Sequence, residues 1–89
     1  MTKIDMSHIN ELCLPLGKRP KKIIGARVVV LKDLRNKAGD MIECGTVAYI
    51  YQSFYGYGIK APRVDGTMRA ITRVSHYSVR FLKEGLQLQ

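Results

Sequence analysis

Residues 45–63 of this 89-residue chain, GTVAYIYQSFYGYGIKAPR, decide the fold. Their first part, residues 46–51, is rich in β-branched and aromatic residues, which is typical of a β-strand. Residues 53–58 then place three aromatic rings among serine and glycine, and this composition predicts a turn that reverses the chain. Five of the seven aromatic residues lie in the stretch. It therefore supplies either the core of a small barrel or an aromatic surface on which nucleic acid bases stack.

The strand before this stretch has a predictable inside and outside. Arg27 is followed by three consecutive valines, and β-branched residues favour strands. Because side chains alternate across a strand, an exposed Arg27 turns Ala26, Val28 and Val30 inward.

The rest of the domain divides into further short strands. Alternation places Tyr77, Val79 and Phe81 on one face of the last strand, and the Asp-Gly pair at 65–66 favours a hairpin turn. Five short strands at this spacing predict an all-β fold, either a small barrel or a sandwich. The predicted strands are residues 27–31, 44–52, 57–61, 68–74 and 77–82.

A short N-terminal helix or arm and a basic linker, residues 1–22, precede the predicted barrel domain, residues 23–89. Pro15 limits the helix to about two turns. A helix that short is marginal in water, so the arm must dock on the domain, on a second copy or on a partner. Four residues with i, i+3, i+4, i+7 spacing form its apolar face: Ile9, Leu12, Cys13 and Leu16.

The net charge of +8 is distributed unevenly along the chain. Residues 18–37 carry a net charge of +7, residues 60–83 carry +5, and the remainder carries −4. A chain this basic is attracted to polyanions at low salt, whatever its role. A solvated surface is one interpretation, but this clustering exceeds what solubility alone requires, which favours a basic binding face.

Catalysis and metal binding are not predicted. No acidic residue is paired with a nearby histidine or lysine in the way that general acid–base catalysis requires. The GYG motif at 56–58 lacks the third glycine and the following helix of a phosphate-binding loop. His8, Cys13, Cys44 and His76 are potential zinc ligands, but no two have finger-like spacing. We therefore expect a non-enzymatic protein without a cofactor or a metal.

A cytoplasmic location is expected from the cysteines and the N-terminus. Cys13 and Cys44 are far apart in sequence and are predicted to be free thiols. Charges interrupt the apolar positions of the N-terminus, so no signal peptide is predicted, and no apolar run approaches the ~18 residues of a membrane helix. Without an oxidising compartment, a disulfide is not expected.

A pattern of glycine and β-branched positions runs through residues 23–83. It consists of Gly25, Val28, Val30 and Leu31, then Gly45, Thr46, Val47 and Ile50, then Gly56 and Gly58, then Ile71, Val74 and Ser75. This order resembles that of SH3-like small β-barrels, a class that includes KOW and Tudor-like domains. The resemblance implies a barrel of about five strands that binds a partner rather than catalysing a reaction, and it leaves the partner open.

Nucleic-acid binding is the most specific functional prediction. Basic side chains neutralise phosphates and release counterions, and exposed rings stack on unpaired bases at roughly 1 to 3 kcal/mol each. DNA and RNA both satisfy these criteria. The predicted binding residues are Lys18, Arg19, Lys21, Lys22, Lys32, Arg35, Lys37, Phe54, Tyr55, Tyr57, Arg63, Arg69 and Arg73.

The aromatic residues are expected to divide into a surface group and a core group. Phe54, Tyr55 and Tyr57 lie on a chain reversal flanked by glycines, so we expect them at the surface. Tyr49 and Tyr51 share a strand face with a valine, so we expect these two rings to be internal.

A protein-interaction module is the alternative function. Tyr and Arg are enriched in protein interfaces, and a basic face would speed the capture of an acidic protein partner. A small inhibitor or assembly subunit would have the same composition. Neither hypothesis specifies an oligomeric state.

Overall fold

Residues 3–85, which the computed structural model describes, form seven strands and one short helix. A 3-10 turn, Met6–His8, leads into the helix α1, Ile9–Leu12. The all-β class predicted from the sequence is confirmed. Within the described residues, no helix is long and apolar enough to cross a membrane. The strands are β1 (Arg27–Val30), β2 (Leu34–Arg35), β3 (Met41–Ile42), β4 (Val47–Gln52), β5 (Tyr57–Pro62), β6 (Met68–Val74) and β7 (Val79–Phe81).

Five of these strands form one antiparallel sheet in the order β6-β5-β4-β1-β7, and β2 and β3 form a separate hairpin. The last strand therefore returns to the side of the first, where Val28 faces Ala48 on β4 and Phe81 on β7. Within residues 3–85 no ladder joins β6 to β7, so the sheet keeps two edges. Of the predicted arm and linker (residues 1–22) and the predicted domain (residues 23–89), residues 1–2 and 86–89 lie outside the described part of the chain.

The predicted inward face of β1 is confirmed. Val28 and Val30 are fully buried in the main core, and Ala26 packs against it. The β2–β3 hairpin adds one fully buried residue, Ile42. The other members of this core are Ala48, Ile50, Tyr57, Ile59, Ala61, Ile71, Val74, Val79 and Phe81.

The N-terminal arm covers part of the opposite face of the sheet. Val29 points away from the main core and is nevertheless fully buried, because it packs with Val47, Leu82 and Cys13 beneath the arm. Burial raises the pKa of the Cys13 thiol. In this structure the arm therefore docks on the domain itself, through Ile4, Met6, Ile9 and Leu12.

The helix ends earlier than its apolar spacing predicts. Cys13 is extended, with φ −120° and ψ 154°. The chain beyond it pairs with the edge of β7, where the Leu14 N–H donates to the Phe81 carbonyl at 2.8 Å. A helix of this length gains little from one more turn, so pairing with a strand edge prevails. Leu16, which the spacing placed on the helical face, is half exposed.

Candidate nucleic-acid interface

A β-bulge near the end of β6 sets the direction of Arg73. The β5–β6 ladder shifts register so that Tyr57 faces Val74 and Ile59 faces Ile71, and one residue of β5 opposes two of β6. Arg73 adopts φ 57°, which is uncommon for a residue other than glycine. Its side chain is exposed while Val74 beside it is buried. Unbroken alternation would have placed Arg73 on the buried face with Ile71.

The loop between β4 and β5 packs against this bulge. Gly56 has φ 91°, and a Cβ at this position would lie 2.9 Å from the Val74 carbonyl oxygen. Tyr55 before it has φ 54°, and its side chain is 77% exposed, compared with 69% for Phe54. The two rings meet edge-on with centroids 4.4 Å apart. The predicted surface position of Phe54 and Tyr55 is therefore confirmed, and we call this pair the tip.

Tyr57 lies inside the domain, contrary to the prediction. It is 4% exposed, and its ring packs perpendicular to that of Phe81 at 5.6 Å between centroids. The reason is that Tyr57 is the first residue of β5 rather than the last of the turn, and its pairing with Val74 turns it towards the core. Its hydroxyl is buried and has no hydrogen-bond partner within residues 3–85.

Tyr49 and Tyr51 are not internal, so this prediction is also wrong. They share a face with Val47, but the arm covers that face only around Val47. Tyr49 is half exposed, and Tyr51 is partly exposed with the Lys60 ammonium 4.7 Å from its ring centroid. Whether a sheet face is buried depends here on a distant segment, not on the strand itself.

The corner between β6 and β7 contributes two rings that sequence reasoning missed. Tyr77 was predicted to lie in the last strand on one face with Val79 and Phe81, but β7 begins only at Val79, and Tyr77 is 63% exposed whereas the other two are buried. Its ring lies 4.1 Å from that of His76. The Tyr77 N–H donates to the Ser75 hydroxyl at 3.1 Å. A serine that bonds the backbone two residues ahead is a turn signal in the sequence, and it would have identified this corner.

The loop that carries the tip, the corner and the basic linker meet at a small pocket. Its volume is about 190 Å³. The linker begins beside the corner, since a Cβ at Gly17, just before Lys18, would lie 4.0 Å from the Tyr77 ring. The arrangement unites three segments that are remote in sequence. The pocket is lined by Arg19, Ile23, Ser53, Gly56, Tyr57 and His76.

A basic groove adjoins the other side of the tip. It lies between the β2–β3 hairpin and β6, and its exposed cations are Arg35, Lys37 and Arg73. None of the three forms an ion pair within the described part of the chain. The Arg73 main chain would lie 3.2 Å from a Cβ at Gly56, so the groove adjoins the loop that carries the tip. We call the groove, the tip, the corner and the pocket together the basic–aromatic face.

Arg63 and Arg69 lie outside this face, although both were predicted to bind. Arg69 is only 7% exposed; it donates to the Met41 carbonyl at 2.8 Å and pairs with Glu43 at 3.1 Å. Arg63 pairs with Asp40. Both arginines therefore hold the β2–β3 hairpin against the sheet, a role set by carboxylates more than 20 residues away in sequence.

The two carboxylates in this tether remain ionised to low pH. The hydrogen bond from Arg63 lowers the pKa of Asp40 below its ordinary 3.8. The pKa of Glu43 lies below its ordinary 4.5, chiefly because its own backbone N–H donates to the carboxylate and also because Arg69 does. These two negative charges are thus compensated locally and leave the cations of the groove uncompensated.

The remaining predicted cations are exposed but are not all brought together. Of the linker residues, Arg19 lines the pocket, whereas Lys22 lines a different one with Arg27 and Lys83. Lys32 is exposed in the turn after β1. Lys18 and Lys21 are the other two exposed cations of the linker. Within residues 3–85, neither lines one of these pockets nor forms an ion pair.

The basic–aromatic face combines cationic and aromatic side chains. Its groups are guanidinium, ammonium, imidazole, phenol and phenyl, which suit phosphate contacts and stacking. Among the described residues, no three His, Cys, Asp or Glu side chains are grouped closely enough to hold a metal ion. Comparison with protein-family models, with curated proteins and with solved structures finds no match to this chain.

Proposed function

We propose that this protein is a non-enzymatic nucleic-acid-binding module that uses the basic–aromatic face. The observation that carries the proposal is the contact between the bulge and the tip. Through it, Arg73 of the groove and the exposed Phe54–Tyr55 pair lie on either side of Gly56. Cations beside exposed rings are the combination with which proteins hold unpaired nucleic acid.

The charges of the face set the expected salt dependence. The groove supplies Arg35, Lys37 and Arg73, and the pocket supplies Arg19. If each neutralises one phosphate of a single strand, log K falls with log salt with a slope of about −2.8. Each stacked base adds roughly 1 to 3 kcal/mol that is independent of this term.

We propose in addition that the domain is an SH3-like small barrel. The strand order supports this, since β4, β5 and β6 follow one another and β7 returns to β1. The β2–β3 hairpin lies over the free edge of β6, where the Asn36 amide donates to the Ala70 carbonyl at 3.0 Å. Free thiols at Cys13 and Cys44 are compatible with the cytoplasmic location that we propose.

The test is a salt titration with matched charge variants. Fluorescence anisotropy would measure the affinity of labelled single-stranded DNA, single-stranded RNA and duplex DNA for the wild type. The variants are Arg35→Gln/Arg73→Gln in the groove and Lys3→Gln/Lys83→Gln outside it, which remove the same charge. We expect the groove variant to reduce the salt slope by about 1.4 and the control to leave it nearly unchanged. Equal slopes for the two variants would contradict the placement of the site.

An acidic protein partner is the second candidate. It is favoured by the tip, because a tyrosine and a phenylalanine exposed together on a loop form the type of patch that anchors protein interfaces. A labelled acidic peptide in the same titration separates the candidates: a protein-binding module prefers the peptide to every oligonucleotide at equal ionic strength.

A further inference from the structure

The N-terminal arm leaves part of the outer face of the sheet uncovered. The arm packs on this face around Val29 and Val47. Further along β4 and on β5, alternation with the core residues turns Tyr49, Tyr51 and Lys60 outward. Tyr49 is 46% exposed, and the other two side chains are half-buried. We call these three residues the open face.

A lysine lies between the two rings of the open face. Lys60 is directly opposite Tyr49 in the β4–β5 ladder, and residues paired in this way have Cβ atoms roughly 4.5 to 5.5 Å apart. The Lys60 ammonium is 4.7 Å from the centroid of the Tyr51 ring. On the other side of Tyr49, its partner in β1 is Arg27. A cation, a ring and a second cation thus follow one another across three strands.

A glycine makes room for the Tyr51 ring on the sheet. A Cβ at Gly58 of β5 would lie 2.9 Å from the Cζ atom of Tyr51. The ring therefore occupies space over β5 that a side chain at Gly58 would need, and it contacts Lys60 there. A ring that is already held in place loses little conformational entropy when a ligand binds.

The strands beneath the open face carry no negative charge. The five strands of the sheet, all within residues 3–85, contain no aspartate or glutamate. Glu84, which follows β7, lines a pocket with Arg27, so we assign the charge available to a ligand to Lys60. Exposed rings beside cations on a sheet are an arrangement on which unpaired bases stack. A second copy of this chain is a poorer occupant, because each copy has a net charge of +8.

The open face is close to the tip. Tyr51 and Phe54 are three residues apart on the chain, so their Cα atoms are separated by no more than about 11 Å. A short single strand can therefore reach both surfaces.

We propose that the open face is a stacking surface for unpaired bases, on which Lys60 contacts a phosphate of the same strand. The assignment rests on the proposed function, extends the site beyond the basic–aromatic face, and narrows the ligand to single-stranded nucleic acid. A base inside a duplex would first have to be unstacked and extruded.

The test removes the most exposed ring of the open face by Tyr49→Thr, since threonine also favours strands. The probes are a dT12 oligonucleotide and an abasic strand of the same length and charge. We expect Tyr49→Thr to weaken binding of dT12 at least about fivefold and to leave binding of the abasic strand unchanged. Tyr49→Phe, which keeps the ring, should restore the affinity for dT12. Val64→Thr, in the exposed turn between β5 and β6, is the control and should bind dT12 like the wild type.

Lys60→Gln provides a second readout that does not depend on the ring. We expect it to reduce the salt slope for dT12 by about 0.7, and we expect Lys3→Gln, which removes an exposed charge on the arm, to leave the slope nearly unchanged. If Tyr49→Thr lowers the melting temperature, the comparison of the two lysine variants decides.

Two results would overturn the open face and leave the proposed function standing. One is equal affinity of Tyr49→Thr and the wild type for dT12, and the other is equal salt slopes for Lys60→Gln and Lys3→Gln. If the wild type binds no oligonucleotide at low salt, both the proposed function and the open face fail.

Discussion

Replacing Gly56 by alanine should break the contact that joins the groove to the tip. Two penalties arise at this residue. A φ of 91° is unfavourable for an L-residue with a side chain by roughly 1 to 2 kcal/mol. The new Cβ would also lie 2.9 Å from the Val74 carbonyl oxygen and 3.3 Å from the Arg73 Cα. Because these are backbone atoms that cannot rotate away, overpacking adds about 1 to 3 kcal/mol.

Gly66 provides the control for this substitution. It has nearly the same φ, 89°, but nothing lies within 4 Å of its Cβ position. Gly66→Ala therefore incurs the conformational penalty without the clash. The free energies of unfolding of both variants would be measured by urea denaturation, with the slope m compared to verify that the same surface is exposed. The difference between the variants isolates the clash, and we expect Gly56→Ala to be less stable by about 1 to 3 kcal/mol.

Equal stabilities of Gly56→Ala and Gly66→Ala would refute the contact between the tip and the bulge. In that case Arg73 and the Phe54–Tyr55 pair would no longer be held on one surface, and the proposed site would lose its geometric basis. If the clash is real, the tip must move away from β6. Affinity for a single strand should then fall for Gly56→Ala and remain unchanged for Gly66→Ala.

Three further predictions follow from the same contacts. Phe54→Ala or Tyr55→Ala should weaken oligonucleotide binding and change the free energy of unfolding by less than about 1 kcal/mol. Anisotropy and urea denaturation on the same samples would measure the two effects, and a large loss of stability with unchanged affinity would contradict an exposed tip. The low pKa values of Asp40 and Glu43 mean that their stabilising effect is complete above about pH 5 and is lost as the pH falls below their ordinary values of 3.8 and 4.5. The urea midpoint should therefore fall between pH 5 and pH 3, less so for Glu43→Gln, and an identical pH dependence of that variant would argue against a role for Glu43. Arg69→Ala should destabilise the domain by about 3 kcal/mol, because Glu43 and two carbonyl groups lose the hydrogen bonds that Arg69 donates. A melting temperature equal to that of the wild type would show that the tether is dispensable.

Local signals in the sequence were sufficient for the parts of the fold that alternation governs. The inward face of β1 followed from one charged residue, Arg27, ahead of three valines. The exposure of Phe54 and Tyr55 followed from the glycine-rich reversal that carries them. In these places the chain's own composition decides the outcome, since no distant segment changes it.

The errors have a common physical origin in contacts that are remote in sequence. The position of Tyr57 depends on a register shift in its ladder with β6, which alternation along a single strand does not reveal. Burial of the outer face of β4 depends on how far the arm extends across it. Arg69 became internal because Glu43, 26 residues away, supplies its carboxylate. The membership of the proposed site was mispredicted for the same reason, because its residues come from the linker, the tip, the corner and the hairpin, which are remote from one another in sequence.

The two strained residues other than glycine lie on the surface that we propose binds nucleic acid. Within residues 3–85, Tyr55 and Arg73 are the two residues other than glycine with positive φ, at 54° and 57°, and they flank the contact between Gly56 and the bulge. Each such conformation costs roughly 1 to 2 kcal/mol, a large fraction of the roughly 5 to 15 kcal/mol that stabilises a typical domain. Glycine at either position would remove that cost, so the fold alone does not require these side chains. What tyrosine and arginine provide there is an exposed ring and an exposed cation on one surface, and strain of this kind is expected where a side chain serves binding rather than stability.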